Sequence, residues 1–452
     1  MPREGAALST DSESPRLSLI GSVALGTGVM IGAGIFALVG QVTESAGSWM
    51  PWAFVAGAVV VAFSAYSYVR YSSTDPSSGG IAMILTAAYG PGVIAGSFSL
   101  FMYVSMILAE SLLARTFGTY LLQPFGMQSS AVWVPTLAVA AIVAATMVNL
   151  VGNRWVEGSA TVTAALKIAG IGALAVAAIA ATGTSALADA LTGRDGATPP
   201  NQGVWGFLAG TTLCILAYKG FTTITNQGAD IRNPQHNIAR SIVIAIALCT
   251  VIYVLLTIAV VGSLSVPEIL DARDYALARA AEPLFGSWGV WVTVAVAVVA
   301  TVSGLVASLF AVSRLYDMLR RMKLAPGLGV SLNRQSLLLT AGLAIVTTSL
   351  FDLSRIAALG AMLYLSMDIA IHWGMITRLR SQVEFAVWIP AVAIALDVLV
   401  LVPFVVMKTR SDWFTVAITA AVAATILIAQ FLIVRCRPDG TSGQPTATSS
   451  PR

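Results

Sequence analysis

Charge is what this 452-residue chain has least of: Asp, Glu, Lys and Arg together make up 10% of it. A soluble globular domain carries roughly 25%. With 57% apolar residues and so few charges, the chain has no means of covering itself in water, which excludes the soluble classes. Histidine and cysteine are scarcer still. Two histidines, His236 and His372, lie far apart, and three cysteines, Cys214, Cys249 and Cys436, are scattered. Neither a disulfide framework, a metal site nor zinc hydrolase chemistry is expected from such spacing. No Walker-type phosphate loop and no nucleophile–base constellation occurs, so neither ATP as energy source nor an enzyme is expected, and no cofactor.

Long apolar runs are abundant. About 20 mostly apolar residues cross a bilayer as a helix, and twelve such runs are read at approximately 17–40, 49–70, 92–121, 131–150, 156–181, 204–228, 240–262, 286–312, 336–351, 356–376, 385–407 and 413–434. None alternates as a transmembrane strand does over about ten residues. The expected fold class is therefore an all-α integral membrane protein with about 12 spans. Residues 1–16 are a polar amino-terminal tail without signal-peptide character, and 435–452 are a Ser/Thr/Pro/Gly-rich tail expected to be disordered. Basic residues orient the bundle. Most lie on the side of the termini, Arg70, Arg154, Arg232, Arg240, Arg320 and Arg321 among them. The other side has Arg194, Arg273, Arg279, Arg355, Lys408 and Arg410. Both termini are thus expected in the cytoplasm and the protein in the plasma (inner) membrane. A pI near 9.0 follows from this asymmetry and requires no nucleic-acid partner.

Glycine is placed oddly. The first span holds Gly26, Gly28, Gly32 and Gly34 within GTGVMIGAGIFALVG, and the sixth is interrupted at AYKGFTTITNQG. Irregular backbone survives in lipid only where protein or a water-filled cavity surrounds it. Interruptions at corresponding places in two five-span halves point to a transporter's midplane binding site. A close helix-packing seam at Gly28-xxx-Gly32 is the plainer reading. A dinucleotide loop is excluded by the absence of a βαβ context.

Four stretches in order carry a family resemblance. GTGVMIGAGIFALVG resembles the first-span signature of amino acid–polyamine–organocation permeases. AFSAYSYVRYSSTDPSSGGIAMILTAAYGP is similar to that family's second span and Pro-x-x-Gly-Gly turn, AYKGFTTITNQGADIRNPQHNIARSI to its sixth span and Asn-Pro loop, and SGLVASLFAVSRLYDMLRRMKLAP to its eighth span. The resemblance implies a leucine-transporter-type fold. Its repeats would be 17–181 (spans one to five) and 204–380 (spans six to ten), with an extracellular loop at 182–203, spans eleven and twelve at 381–434, and discontinuous helices one and six. It implies a secondary active permease for an amino acid or related amine, coupled to protons. An exchanger without net proton coupling is the alternative, and a channel or sensor on the same bundle is the alternative from another class. The lipid bilayer, protons and a small-molecule substrate are the partners.

A helix amino terminus is a carboxylate site. The resemblance thus places the substrate carboxylate on backbone amides around Gly32, Ala33 and Gly34, with Gly28 and Ile31 beside them. The ammonium is placed at carbonyls around Ala217, Tyr218 and Gly220. Lys219 and Thr222 depart from the family's usual apolar and acidic residues, which argues against a purely cationic substrate. Glu110 is left as a counter-ion, a proton carrier or a partner of Arg115, and Lys219 as substrate-facing, turned away or paired with Glu110. Lys167 matches the fifth-span lysine of proton-coupled members; the implied role ties the first-span break near Gly26 to Ser303 and releases a proton as the bundle rocks. Asp368 and His372, four residues apart on one helical face, are read as a local pair rather than a relay.

Overall fold

Helix ends follow local chemistry throughout. The computed structural model describes residues 17–76, 80–151, 153–183, 188, 203–326 and 332–435. The amino-terminal tail, most of the loop expected at 182–203, and the tail after Arg435 with Cys436 lie outside them. The Ser18 side chain accepts from the Gly21 amide at 3.1 Å and opens α1, Leu19–Ala46. Pro51 occupies the first turn of α2, Met50–Thr74, where a missing N–H costs nothing. α3 is Gly80–Tyr89, α4 Val93–Leu122, α5 Trp133–Val151 and α6 Asn153–Thr182. Span six follows as α7, Gly203–Tyr218, a 3-10 turn at Lys219–Phe221, and the short α8, Thr222–Asn226.

Asn233, in the left-handed region at φ 48, and Pro234 start α9, Pro234–Ser263. A capping box of Ser265 and Glu268 opens α10, Val266–Asp271, and its two bonds from Ser265 hold the Glu268 carboxyl below the usual range. α11, Ala276–Arg321, bends at Gly286 (φ 66) three residues after Pro283, so span eight begins there. α12 is Leu332–Leu350, α13 Leu353–Arg378 with Asp352 as its cap, α14 Trp388–Ser411 and α15 Trp413–Arg435.

Among the described residues, ten helical segments are long and apolar enough to cross a membrane. One of them, Gly34–Thr74, passes through the turn at Gly47 and so contains parts of two helices. With α1 and α2 separated and α12 included, the helices correspond to the twelve runs of the sequence. α1 lies at the centre against α7, α9 and α11, while α4 packs on α11 and α13. Its core is apolar on all sides: Met30, Ile31, Ile35 and Phe36 are fully buried. At the start of α1, Leu17 pairs with the loop after span six, its N–H donating to Asp230 O at 2.7 Å and its carbonyl accepting from Arg232 N at 2.9 Å.

The expected interruption of span one is not there. α1 runs through Gly26, Gly28, Gly32 and Gly34 as one helix, and none of the four has a positive φ. Glycine permits a break without enforcing one; here the missing side chains admit neighbouring backbone instead, as the packing-seam reading required. The interruption of span six is present, at Lys219–Phe221.

Candidate functional site

The two halves of the expected substrate site arise from stretches far apart in sequence, and the fold presses them together. A Cβ on Gly34 would lie 2.7 Å from Ala217 Cβ and 2.8 Å from the Tyr253 hydroxyl. One on Gly220 would lie 2.8 Å from Met30 N. The glycine stretch of α1 therefore rests directly on the broken segment of span six, backbone to backbone. Gly32 faces the opposite way: its Cβ would stand 3.3 Å from Ala300 O and from Gly304 Cα on α11. Gly26 abuts Ile224. Ile31, Ala217 and Tyr218 are buried, and the Tyr218 hydroxyl donates to Phe54 O at 3.2 Å. Ala33 lies within α1, and its side chain falls outside the described residues. With α1 unbroken, the proposed amide cradle at Gly32–Gly34 belongs to a continuous helix.

Lys219 is neither turned away nor paired with Glu110. Its Nζ donates to Ser105 O at 2.7 Å and to Ser105 Oγ at 2.9 Å, and stands 5.7 Å from the centroid of the Tyr364 ring. Ser105 in turn donates to Gly360 O at 2.8 Å. One lysine thus joins the break of span six to α4 and α13. Thr222 closes the turn by donating to Lys219 O at 2.9 Å. Glu110 is fully buried; Ser308 of α11 donates to its Oε1 at 3.3 Å, and its Oε2 has no partner. Arg115 is engaged elsewhere, its Nε donating to Thr348 O at 2.9 Å. A carboxylate half satisfied at this depth is costly, and the free oxygen suits an ammonium.

Lys167, buried on α6, donates to Gly28 O at 3.1 Å, half a turn from the Gly26 position expected. Ser303 does not meet it. The Ser303 hydroxyl bonds back to Val299 O at 2.5 Å and Ala300 O at 3.3 Å on its own helix.

Three further features escape the motif pattern. A cavity of about 840 Å³ opens at the α1-start end, lined by Asn149, Thr223, Asn226, Asp230, Arg314 and Arg321 among others. Its size is that of a small-molecule vestibule. At the far end of α1 the chain is clasped: Gln41 Nε2 donates to Asp274 at 2.8 Å, and Arg273 meets Glu44 at 3.2 Å. Asp397 is the other residue missed. It is fully buried in α14, and a lone carboxylate in the apolar run VWIPAVAIALDVLVLV was the signal for it.

Substituting Lys219 by methionine keeps the volume of its stem. The expected result is a folded protein in which a cationic compound gains about tenfold in binding over its neutral analogue, the scale of removing one charge about 10 Å away at intermediate dielectric. Ligand-dependent thermal stabilisation measures the ranking. An unchanged ranking with a collapsed melting temperature assigns the lysine to the tether alone.

Comparison with known proteins gives one consistent result. The sequence profile of a family described as amino acid permease matches residues 17–446. The inner membrane transport protein YbaT of Escherichia coli (strain K12) is 30% identical over 86% of this chain and 89% of its own length. An uncharacterized transporter of Mycobacterium tuberculosis is 31% identical over 66% of this chain and 64% of its own. The vacuolar cationic amino acid transporter 4 of Arabidopsis thaliana is 27% identical over 69% of this chain and 53% of its own. Among solved structures, the manganese transporter of Eremococcus coleocola shares the fold, with a TM-score of 0.61 at 12% identity, covering 92% of this chain and 94% of that one.

Proposed function

From the membership of this chain in the amino acid permease family of the amino acid–polyamine–organocation superfamily, which makes it a multi-pass membrane transporter, we propose that it carries an amino acid or related amine by alternating access, driven by protons. The observation that carries this reading is the seating of the α1 glycines on the 3-10 break of span six, Gly34 on Ala217 and Gly220 on Met30. Backbone groups freed at such a break are what a zwitterion needs, and separation of α1 from span six exposes them. Glu110 Oε2, unpartnered beside this region, is the acceptor for a substrate ammonium.

The basic-residue asymmetry puts the termini, and with them the 840 Å³ vestibule, on the cytoplasmic side. The clasp of Gln41, Glu44, Arg273 and Asp274 then closes the outer side. Open within and clasped without, the chain is in an inward-facing arrangement. Lys167, held on Gly28 O, ties α6 to α1, and loss of its proton releases that tie. Exchange without net proton movement is the second reading, favoured by the same contact if Lys167 keeps its charge throughout as a fixed cation.

Uptake into proteoliposomes of the twenty amino acids and common amines tests the reading. Saturable uptake, accelerated by unlabelled substrate on the far side and increased by an inward proton gradient, is expected. Uptake that requires internal substrate and ignores the gradient selects exchange. Non-saturable flux, or none for any compound, removes the permease reading.

The outer clasp has its own test. Exposed pairs such as Arg273–Glu44 contribute roughly 0.2–1 kcal/mol. Arg273→Ala is therefore expected to raise about two- to fivefold the rate at which an impermeant thiol reagent added outside reaches a cysteine placed at Ile31. An unchanged rate means that the clasp does not hold the outer side shut.

A further inference from the structure

Away from the broken segment, three ionisable side chains meet in complete burial: Asp368 and His372 of α13 and Asp397 of α14, each with no exposed surface. Their contacts are unequal. Both Asp368 oxygens are occupied, Oδ1 by the Tyr68 hydroxyl at 2.5 Å and Oδ2 by Ser64 Oγ at 2.6 Å. Asp397 has no hydrogen-bond partner on either oxygen. The His372 ring is fixed by Ser67 Oγ, 2.9 Å from Nδ1. That leaves Nε2 without a partner, 3.6 Å from Asp368 Oδ1 and 3.8 Å from Asp397 Oδ2. One atom able to carry a proton thus stands almost midway between two carboxylates.

Fully ionised, the two carboxylates and a neutral imidazole would hold two negative charges in hydrocarbon surroundings, which is untenable without compensation. Among the described residues, the groups facing the cluster supply no adjacent cation. α2 contributes Tyr68, α13 itself Tyr364, and α3 Tyr89, whose hydroxyl donates to Ala370 O at 2.7 Å. Span six contributes Lys219, on the Tyr364 ring face and bonded to Ser105, and α4 contributes Glu110 on the Lys219 side. α15 carries no charge before Arg435 at its end. Compensation must therefore come from what binds. Two protons suffice: shared among Asp368, His372 Nε2 and Asp397, they bring the cluster to zero net charge.

We propose that Asp368, His372 and Asp397 form a proton-binding site, separate from Lys167, at which His372 Nε2 and Asp397 exchange protons, and that Tyr68 and Tyr364 link its occupancy to the break in span six. Two ring contacts make the link. The Tyr68 ring stands edge-on to Phe221 with centroids 5.3 Å apart, and Phe221 is part of the 3-10 turn. Tyr364 lies between Lys219 and the cluster, one turn before Asp368. Movement of Lys219–Phe221 during transport shifts both rings and with them the Tyr68 hydroxyl that donates to Asp368. The site itself stands on geometry alone; its part in transport rests on the permease reading above.

The chain has two histidines, so ¹⁵N-histidine labelling gives two imidazole signals, with exposed His236 as internal control and His372→Gln as assignment. In purified full-length protein, the His372 signal is expected to report uptake of a proton within the accessible pH range. Asp397→Asn, which breaks no hydrogen bond, is expected to move the midpoint of that change by about one pH unit or more, because the carboxyl that exchanges a proton with Nε2 is gone. His236 stays in place. A His372 that is neutral across the accessible pH range, or a midpoint unmoved in Asp397→Asn, overturns the site. A stoichiometric divalent metal found by elemental analysis overturns it too, since the ion and the protons need the same atoms. In proteoliposomes, Asp397→Asn is expected to cut gradient-driven accumulation about tenfold while counterflow persists; full accumulation overturns the link to transport. A wild type inactive with every compound removes the permease reading, and the histidine titration still decides the site.

Discussion

Lys167→Ala is expected to abolish substrate accumulation driven by an inward proton gradient and to leave equilibrium binding within about threefold of wild type. The ammonium is buried and its hydrogen bond runs to Gly28 O, a backbone group of the helix proposed to separate from span six. Protonated, it ties α6 to α1; deprotonated, it loses its attraction for that carbonyl. Alanine removes both states, so the gradient has nothing to act on at this position. Binding persists because the groups proposed to hold substrate come from α1, span six and Glu110. Counterflow in proteoliposomes, which needs no gradient, is expected to continue. A folded Lys167→Ala protein that accumulates substrate as the wild type does, or a wild type that requires sodium, rules out this role.

Gly32→Leu is expected to remove transport altogether, more than a hundredfold below wild type. Even a methyl group at this position lies 3.3 Å from Ala300 O and Gly304 Cα, both backbone atoms of α11 that have no rotamer to yield. A leucine forces α1 and α11 apart, an overpacking that costs about 1–3 kcal/mol or more. Gly32→Ala asks for only a few tenths of an ångström and is expected to fold and retain a measurable rate. Uptake assays on both variants, with size-exclusion profiles as the check on folding, separate the cases. Wild-type uptake by folded Gly32→Leu would mean that the α1–α11 seam takes no part in the cycle.

Much of the fold was legible because membrane spans announce themselves by length and apolarity, which need no tertiary context. The break in span six was legible too, at Lys219–Phe221. The break expected in span one was not, since the same four glycines serve a hinge or a close-packed seam, and only the neighbours decide. Long-range partners were out of reach: Ser105 lies 114 residues from Lys219, and no local pattern links them. Lys167 meets α1 within half a turn of the expected Gly26 position, whereas Ser303, expected to be tied to it, turns its hydroxyl back to Val299. Asp368 and His372 were read as a local pair on spacing alone. Their Nε2–Oδ1 separation of 3.6 Å is too long for a hydrogen bond, and the third member comes from another helix.

The outer clasp also makes the surrounding medium a variable. Arg273 and Glu44 keep 36% and 44% of their side-chain surface exposed. Attraction between charges so placed is screened as ionic strength rises, the Debye length falling from about 10 Å at 0.1 M to about 3 Å at 1 M salt. Lys167 and Lys219, buried within the bundle, are shielded from the same ions. With the clasp on the outer side, as proposed, high external salt is expected to loosen that closure while leaving the buried ties intact, so the resting balance between the two faces of the carrier would depend on the salinity of the outside.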